Sequence, residues 1–260
     1  MLFEAGSRGP ALYHNGHIPG AFFLDLSLLE KPPLWNLVPP EKIEPILVSL
    51  GITFRSMVVL YSKESFAAAR TALILMYAGV EDVRLLDGGY QAWLSNGNPI
   101  ETGSNLPPPA AFFGTCLPAH PEYLLDIHQA AALLDEPDGR LACVRTWEEY
   151  SGKTSGYDYI EKGGHIPGSV WAGSISSPAL QNTDGNLIDL PGIAEGWKEK
   201  GLAPHQMIGF YCGTGWRASE AFFIARLMGW ENVGVYDGGW LEWTATGWAV
   251  ATAGDEPRAA

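Results

Sequence analysis

The feature that most constrains this chain is an internal duplication. Tyr61 to Gly97 align without a gap on Tyr211 to Gly247 at a constant offset of 150, and 11 of the 37 pairs are identical. Among them are Asp87-Gly88-Gly89 with Asp237-Gly238-Gly239, and Trp93 with Trp243. Upstream, Gly16-His17-Ile18-Pro19-Gly20 recurs as Gly164-His165-Ile166-Pro167-Gly168. Two copies of about 120 residues each imply a duplicated domain, not a solenoid. A stretch centred on Pro107-Pro108-Pro109 separates them and reads as a spacer. The expected division is a first domain over 1–103, a linker over 104–121 and a second domain over 122–260.

Each copy alternates between two periodicities. Met57 to Tyr61 and Met207 to Tyr211 are short apolar runs of the kind found in buried strands. Helix-length stretches follow, Phe66 to Tyr77 and Arg217 to Met228, and then Val83 to Leu86 and Val233 to Tyr236, again strand-like. Strand, helix, strand, helix predicts an α/β fold, in each copy a parallel sheet flanked by helices. In such sheets the functional loops lie beyond the carboxyl ends of the strands.

Cys212 falls at such an end, in Phe210-Tyr211-Cys212-Gly213-Thr214-Gly215-Trp216-Arg217-Ala218-Ser219. The two glycines permit a curled loop whose amides at Gly213, Thr214, Gly215 and Trp216 point inward. Those donors, the helix start behind them and Arg217 all favour negative charge on sulfur, hence a nucleophilic thiolate. The planar fork of Arg217 suits a sulfonate or carboxylate. Thr214 offers a hydroxyl, and Trp216 is expected to wall the pocket. The first copy has Ser62-Lys63-Glu64-Ser65-Phe66-Ala67 here, without thiol, glycines or arginine. A serine nucleophile needs a neighbouring base, and this run supplies none. The first copy therefore reads as inactive, a packing partner for the second.

A chain of 260 residues with 47% hydrophobic content can build two cores, and a formal charge of -13 opposes a nucleic-acid or anionic-membrane surface. Cys116, Cys143 and Cys212 are an odd set without Cys-x-x-Cys spacing, so neither a disulfide framework nor a zinc site is indicated. A reducing, cytoplasmic compartment fits best, and no apolar run reaches the roughly 18 residues of a membrane span. The first residues lack a signal peptide's basic start, although Met1 to Ala5 already reads as a strand, so a preceding targeting segment stays open.

Taken together, the paired Gly-His-Ile-Pro-Gly segments, Asp237 to Trp240 and the Cys212 loop resemble the tandem rhodanese sulfurtransferases, over nearly the whole chain. The resemblance implies an inactive first domain and a second domain carrying a persulfide on Cys212, with an active loop from Cys212 to Arg217. The loop is similar to a bacterial branch of thiosulfate sulfurtransferases, and its opening Cys-Gly-Thr-Gly also to 3-mercaptopyruvate sulfurtransferases. Thiosulfate is the expected donor, 3-mercaptopyruvate the alternative, and a non-enzymatic sulfur-relay or regulatory module the alternative of another class. Expected partners are a small anionic sulfur donor and cyanide or a thiol acceptor, a thioredoxin-like protein among them. No metal or organic cofactor is needed. A tyrosine phosphatase would use Cys-x5-Arg, whereas four residues separate Cys212 from Arg217.

Arg145 matches an arginine of the family's Asp-x-Arg segment and is a second candidate for donor binding. Cys143 stands where that segment has aspartate; burial is the plain reading, sulfur exchange or a disulfide with Cys212 the sharper one. His17 and His165 recur in both copies and so read as structural hydrogen-bonding residues, as does the Asp237-Gly238-Gly239 turn.

Overall fold

The computed structural model describes residues 1–175 and 189–254. They form two compact units, 1–123 and the described residues from 124 onward. In the first unit, β1 (Leu2–Gly6), β2 (Phe22–Asp25), β3 (Met57–Ser62) and β4 (Asp82–Leu85) make one sheet in the order β2-β1-β3-β4. Every pairing in it is parallel. Helices α1 (Pro40–Ser49), α2 (Ala67–Ala78) and α3 (Gly89–Ser95) accompany it. The central β3 follows from its run of β-branched and aromatic residues, and Val58, Leu60 and Tyr61 are buried.

The second unit repeats the plan with one more strand. Here β5 (Leu124–Leu125), β6 (Gly139–Cys143), β7 (Val170–Trp171), β8 (Met207–Tyr211) and β9 (Val233–Tyr236) are ordered β5-β9-β8-β6-β7, again all parallel. Its helices are α4 (Ile127–Leu133), α5 (Trp147–Ser151), α6 (Leu190–Glu199), α7 (Trp216–Leu227) and α8 (Gly239–Ala245). The α/β reading of the sequence therefore holds for both copies, with helix ends displaced by about one residue.

Residues 104–121, expected as a spacer, lie along the first unit and do not hang free. Ala110 N–H donates to Val48 O at 2.9 Å, Phe54 N–H to Phe113 O at 3.0 Å, and Ala119 and His120 N–H to Tyr77 O. The Phe113 ring is fully buried. The apolar ring anchors what the prolines alone would leave extended, and the division between units falls after Tyr123.

The repeated Gly-His-Ile-Pro-Gly segment has the same physical role twice. A tyrosine at the end of the central strand accepts the isoleucine amide: Ile18 N–H to Tyr61 Oη at 3.0 Å, and Ile166 N–H to Tyr211 Oη at 3.3 Å. Each histidine Nδ1 lies 2.9 Å from a carbonyl, Tyr13 O or Tyr150 O, and must donate to it. Each ring also stacks on that tyrosine at 3.9 Å. The segment thus pins a crossover loop onto the central strand of each unit, in the second unit onto the strand that precedes Cys212.

Tyr211→Phe removes the partner of both Ile166 N–H and Ser169 Oγ (2.9 Å) inside the core. Urea unfolding should show a loss of about 1–3 kcal/mol; a change under about 0.5 kcal/mol would contradict this account of the motif.

Candidate active site

Cys212 directly follows β8 and is 1% exposed. Behind the loop α7 begins at Trp216, capped by Gly215 at φ +83°, a left-handed conformation that a side chain resists. The other loop glycine is needed for a different reason. A Cβ on Gly213 would sit 2.3 Å from Cζ of Tyr157, so the residue is small because a ring lies on it.

The Asp237-Gly238-Gly239 turn, set aside in the sequence as local structure, controls the loop directly. It opens α8, whose Trp240 N–H donates to Cys212 O at 2.8 Å and whose Leu241 N–H donates to Gly213 O at 3.0 Å. A Cβ on Gly239, at φ +54°, would meet those two carbonyl oxygens at 2.7 Å. In a trans peptide C=O and N–H point in opposite directions. Drawing the carbonyls of Cys212 and Gly213 toward α8 therefore turns the amides of Gly213 and Thr214 to the other side, where the hydroxyl of Tyr157 accepts the first of them. Thr214 is itself buried, and Trp216 is half-buried at the helix start.

Arg217 is less free than its sequence position suggests. Its Nη1 donates to Glu149 Oε2 at 2.9 Å and its Nη2 to Glu149 Oε1 at 2.6 Å, a two-pronged pair with both side chains largely buried. Nη2 also donates to Tyr157 Oη. Glu149 is placed by the first turn of α5, where Thr146 N–H donates to Glu149 Oε2 at 2.7 Å and Glu149 N–H to Thr146 Oγ1 at 3.2 Å. Burial pushes the Glu149 carboxyl up, but the hydrogen bonds and charge of Arg217, with Thr146, outweigh it and hold the group below its usual 4.5. Arg217 is shifted up: burial opposes its charge, and Glu149, Tyr157 and Cys212 overcome that opposition.

Tyr157 completes the arrangement. Its oxygen accepts Gly213 N–H at 3.0 Å, and the Arg217 guanidinium lies 5.1 Å from its ring centre. Glu149 and Tyr157 both escaped the sequence reading. Thr146-Trp147-Glu148-Glu149 carries the capping-box spacing that marks a helix start, a signal for the element but silent on the ion pair. Tyr157 lies in an aperiodic Gly/Ser-containing loop and announced nothing.

Arg145, the second candidate for donor binding, lies inside the second unit. It is fully buried, donates from Nη2 to Gly164 O, and sits 4.7 Å from a Trp240 ring centre and 5.8 Å from that of Tyr211. It braces the Gly-His-Ile-Pro-Gly segment from within through Nη2, while its Nε and Nη1 are buried without a hydrogen-bond partner among the described residues. Cys143 pairs in register with Tyr211 and packs in the same core cluster. All three cysteines are free.

The first unit fills the corresponding space. Lys63, at the position of Gly213, donates to Leu12 O at 2.8 Å and to Gly16 O, pairs with the buried Glu4 at 3.2 Å and lies 4.5 Å from the Tyr90 ring centre. Glu4 pairs with Tyr61 in the register that Cys143 keeps with Tyr211. Among the described residues no cluster of three or more His, Cys, Asp or Glu side chains could hold a metal, and no helix is long and apolar enough to cross a membrane.

Two parallel sheets of the same plan, one with a buried cysteine at the end of its central strand, define the class: the rhodanese-like domain family matches residues 7–96 and 126–246, and the chain belongs to it. Among its relatives it is 46% identical over 251 residues to the thiosulfate sulfurtransferase YnjE of Escherichia coli, covering 94% of this chain and 57% of YnjE. The crystal structure of YnjE superposes with a TM-score of 0.91 at 44% identity, over 96% of this chain and 62% of that one. The sulfur carrier protein TtuD of Thermus thermophilus is 32% identical over 89% of this chain and 84% of its own length. An anaerobic ergothioneine biosynthesis enzyme from Chlorobium limicola, solved with trimethyl histidine, superposes with a TM-score of 0.89 at 40% identity, over 97% of this chain and 64% of that one. The chain thus spans less than two thirds of the length of YnjE and of the Chlorobium enzyme.

Glu149→Gln tests the ion pair, because it leaves a largely buried guanidinium without its counter-charge. The loss should be about 3 kcal/mol near neutral pH. Since the folded carboxyl titrates below its unfolded value, the pair's contribution is complete above about pH 4.5 and is lost as pH falls through the folded value. Unfolding of wild type and variant should therefore converge on acidification; a gap that persists unchanged to pH 3 would refute the assignment.

Proposed function

We propose that this chain is a sulfurtransferase that moves a sulfane sulfur from thiosulfate to cyanide or a thiol acceptor through a persulfide on Cys212. The observation that carries the reading is a buried thiol at a strand end, in a glycine-rich loop whose carbonyls are held by α8. The Cys212 thiolate attacks the outer sulfur of thiosulfate. The sulfur–sulfur bond breaks, sulfite leaves with the electron pair, and Cys212 holds a persulfide anion. An acceptor then takes the outer sulfur and returns the thiolate, a double displacement. Loop amides placed where negative charge sits do the work of an oxyanion hole.

On this reading the donor is held by the loop, Cys212, Gly213, Thr214, Gly215 and Trp216. Arg217 acts through its pair with Glu149 and not as a free cation, and Arg145 supports the fold beneath. A thiol protein of thioredoxin-like chemistry is a suitable acceptor, and three free cysteines suit a reducing cytoplasm. One observation favours a second donor. With the charge of Arg217 already met by Glu149, the loop offers no uncompensated cation to a dianion, which suits the singly charged 3-mercaptopyruvate.

Purified protein should form thiocyanate from thiosulfate and cyanide, and Cys212→Ser should reduce that to background. Parallel kcat/KM measurements with thiosulfate and 3-mercaptopyruvate decide the donor. Failure of both to yield sulfur transfer would reject the enzyme reading.

A further inference from the structure

The hydrogen bonds of Tyr157 leave one valence open. A tyrosine hydroxyl both accepts and donates. The oxygen of Tyr157 accepts from Gly213 N–H and from Arg217 Nη2, and among the described residues no protein atom takes its own proton. The ring cannot turn freely, being seated on Gly213, covered by the Arg217 guanidinium and tilted against Tyr159 at 5.4 Å. The O–H is therefore held beside the residue that follows Cys212, with its direction limited by two donors.

We propose that Tyr157 donates this O–H to the outer sulfur of the Cys212 persulfide, making it a catalytic hydrogen-bond donor that holds the transferred sulfur for attack. The inference rests on the sulfurtransferase reading above. Burial pushes the phenol well above its ordinary range, and the charge of Cys212 pushes the same way, outweighing Arg217. Tyr157 thus keeps its proton through neutral and mildly alkaline pH. The charged and titratable groups that face it are Cys212 and Arg217 from the loop and α7, Glu149 from α5, and Arg145 beyond β6.

The chemistry explains why a neutral donor is wanted. In the discharge step an anionic acceptor forms a bond to the outer sulfur, the bond from that sulfur to Cys212 breaks, and its electron pair returns to the Cys212 sulfur. The approaching anion meets a sulfur that is itself negative. A hydrogen bond from Tyr157 spreads that charge, and the phenol retains its proton throughout, so no other reactant enters.

The test loads sulfur onto Cys212 with polysulfide, which makes it independent of the natural donor, with Cys212→Ser as the control for sulfur on other cysteines. The readout is the near-ultraviolet band of the persulfide anion as a function of pH. A hydrogen bond to a charged group is worth about 10- to 100-fold, so Tyr157→Phe should move the midpoint of the band upward by about 1–2 pH units. It should also slow thiocyanate formation from the loaded protein by a similar factor. Replacing Tyr157 with 3-fluorotyrosine preserves the ring and hydroxyl but strengthens the donor, so the midpoint should move the opposite way. An unmoved midpoint in the fluorotyrosine protein would overturn the proposal, as would wild-type discharge by Tyr157→Phe. If wild type shows the band yet takes no sulfur from thiosulfate or 3-mercaptopyruvate, the donor assignment fails while Tyr157 is still judged by the midpoints.

Discussion

Two backbone hydrogen bonds, Trp240 N–H to Cys212 O and Leu241 N–H to Gly213 O, decide which way the peptides of the candidate active loop face. Much of the second unit exists to make them possible. Gly239 lets the start of α8 come within reach of those carbonyls. Trp240 is then locked from the other side, fully buried with its Nε1–H donating to Lys162 O at 2.6 Å. Without that external grip a loop of small residues would choose its own peptide orientations, and the one seen here would be one conformation among many. Preorganisation of this kind is paid for during folding, so no reorganisation is needed when charge arrives.

The opposite wall of the loop is built from charge and not from backbone. A cation at a helix N-terminus gains nothing from the helix dipole, so Arg217 in the first turn of α7 needs a reason to be there. Glu149 supplies it through two hydrogen bonds, and Tyr157 extends the pair to the first loop amide. The first unit shows what the same scaffold does when that wall is absent. Lys63 reaches into the crossover loop, donates to two of its carbonyls and pairs with the buried Glu4, where the second unit has a glycine. One fold thus supports either a reactive loop or a closed polar cluster, according to which side chain follows the central strand.

Architecture was legible in the sequence because it rests on periodicity and repetition. The strands at Met57 and Met207, the helices that follow them and the parallel order of both sheets all came from local apolar patterns seen twice. Cys212 and its loop were legible because glycines, thiol and arginine crowd into six positions in one copy alone. Arg217 was found as a candidate anion binder, while its pairing stayed hidden, since linear spacing cannot show a carboxylate 68 residues away closing on its fork. Tyr157 was invisible for the same reason, and Gly213 was explained by flexibility when the weight of a ring explains it. Residues 104–121 read as a spacer because of their prolines, while the buried Phe113 and backbone hydrogen bonds to the first unit hold them in place.

The Arg217–Glu149 pair has a consequence for how ions reach this loop. On the sulfurtransferase reading, with Arg217 paired to Glu149, the loop attracts an anion through amide dipoles that act only over a few ångströms, while the chain as a whole carries a formal charge of -13. An anionic reactant therefore crosses a repulsive far field before it meets an attractive near one. Dissolved salt shrinks the far field to about 8 Å at physiological ionic strength and leaves the contacts at the loop untouched. Screening lowers the entry barrier here, so moderate ionic strength favours encounter where a positively charged pocket would lose it.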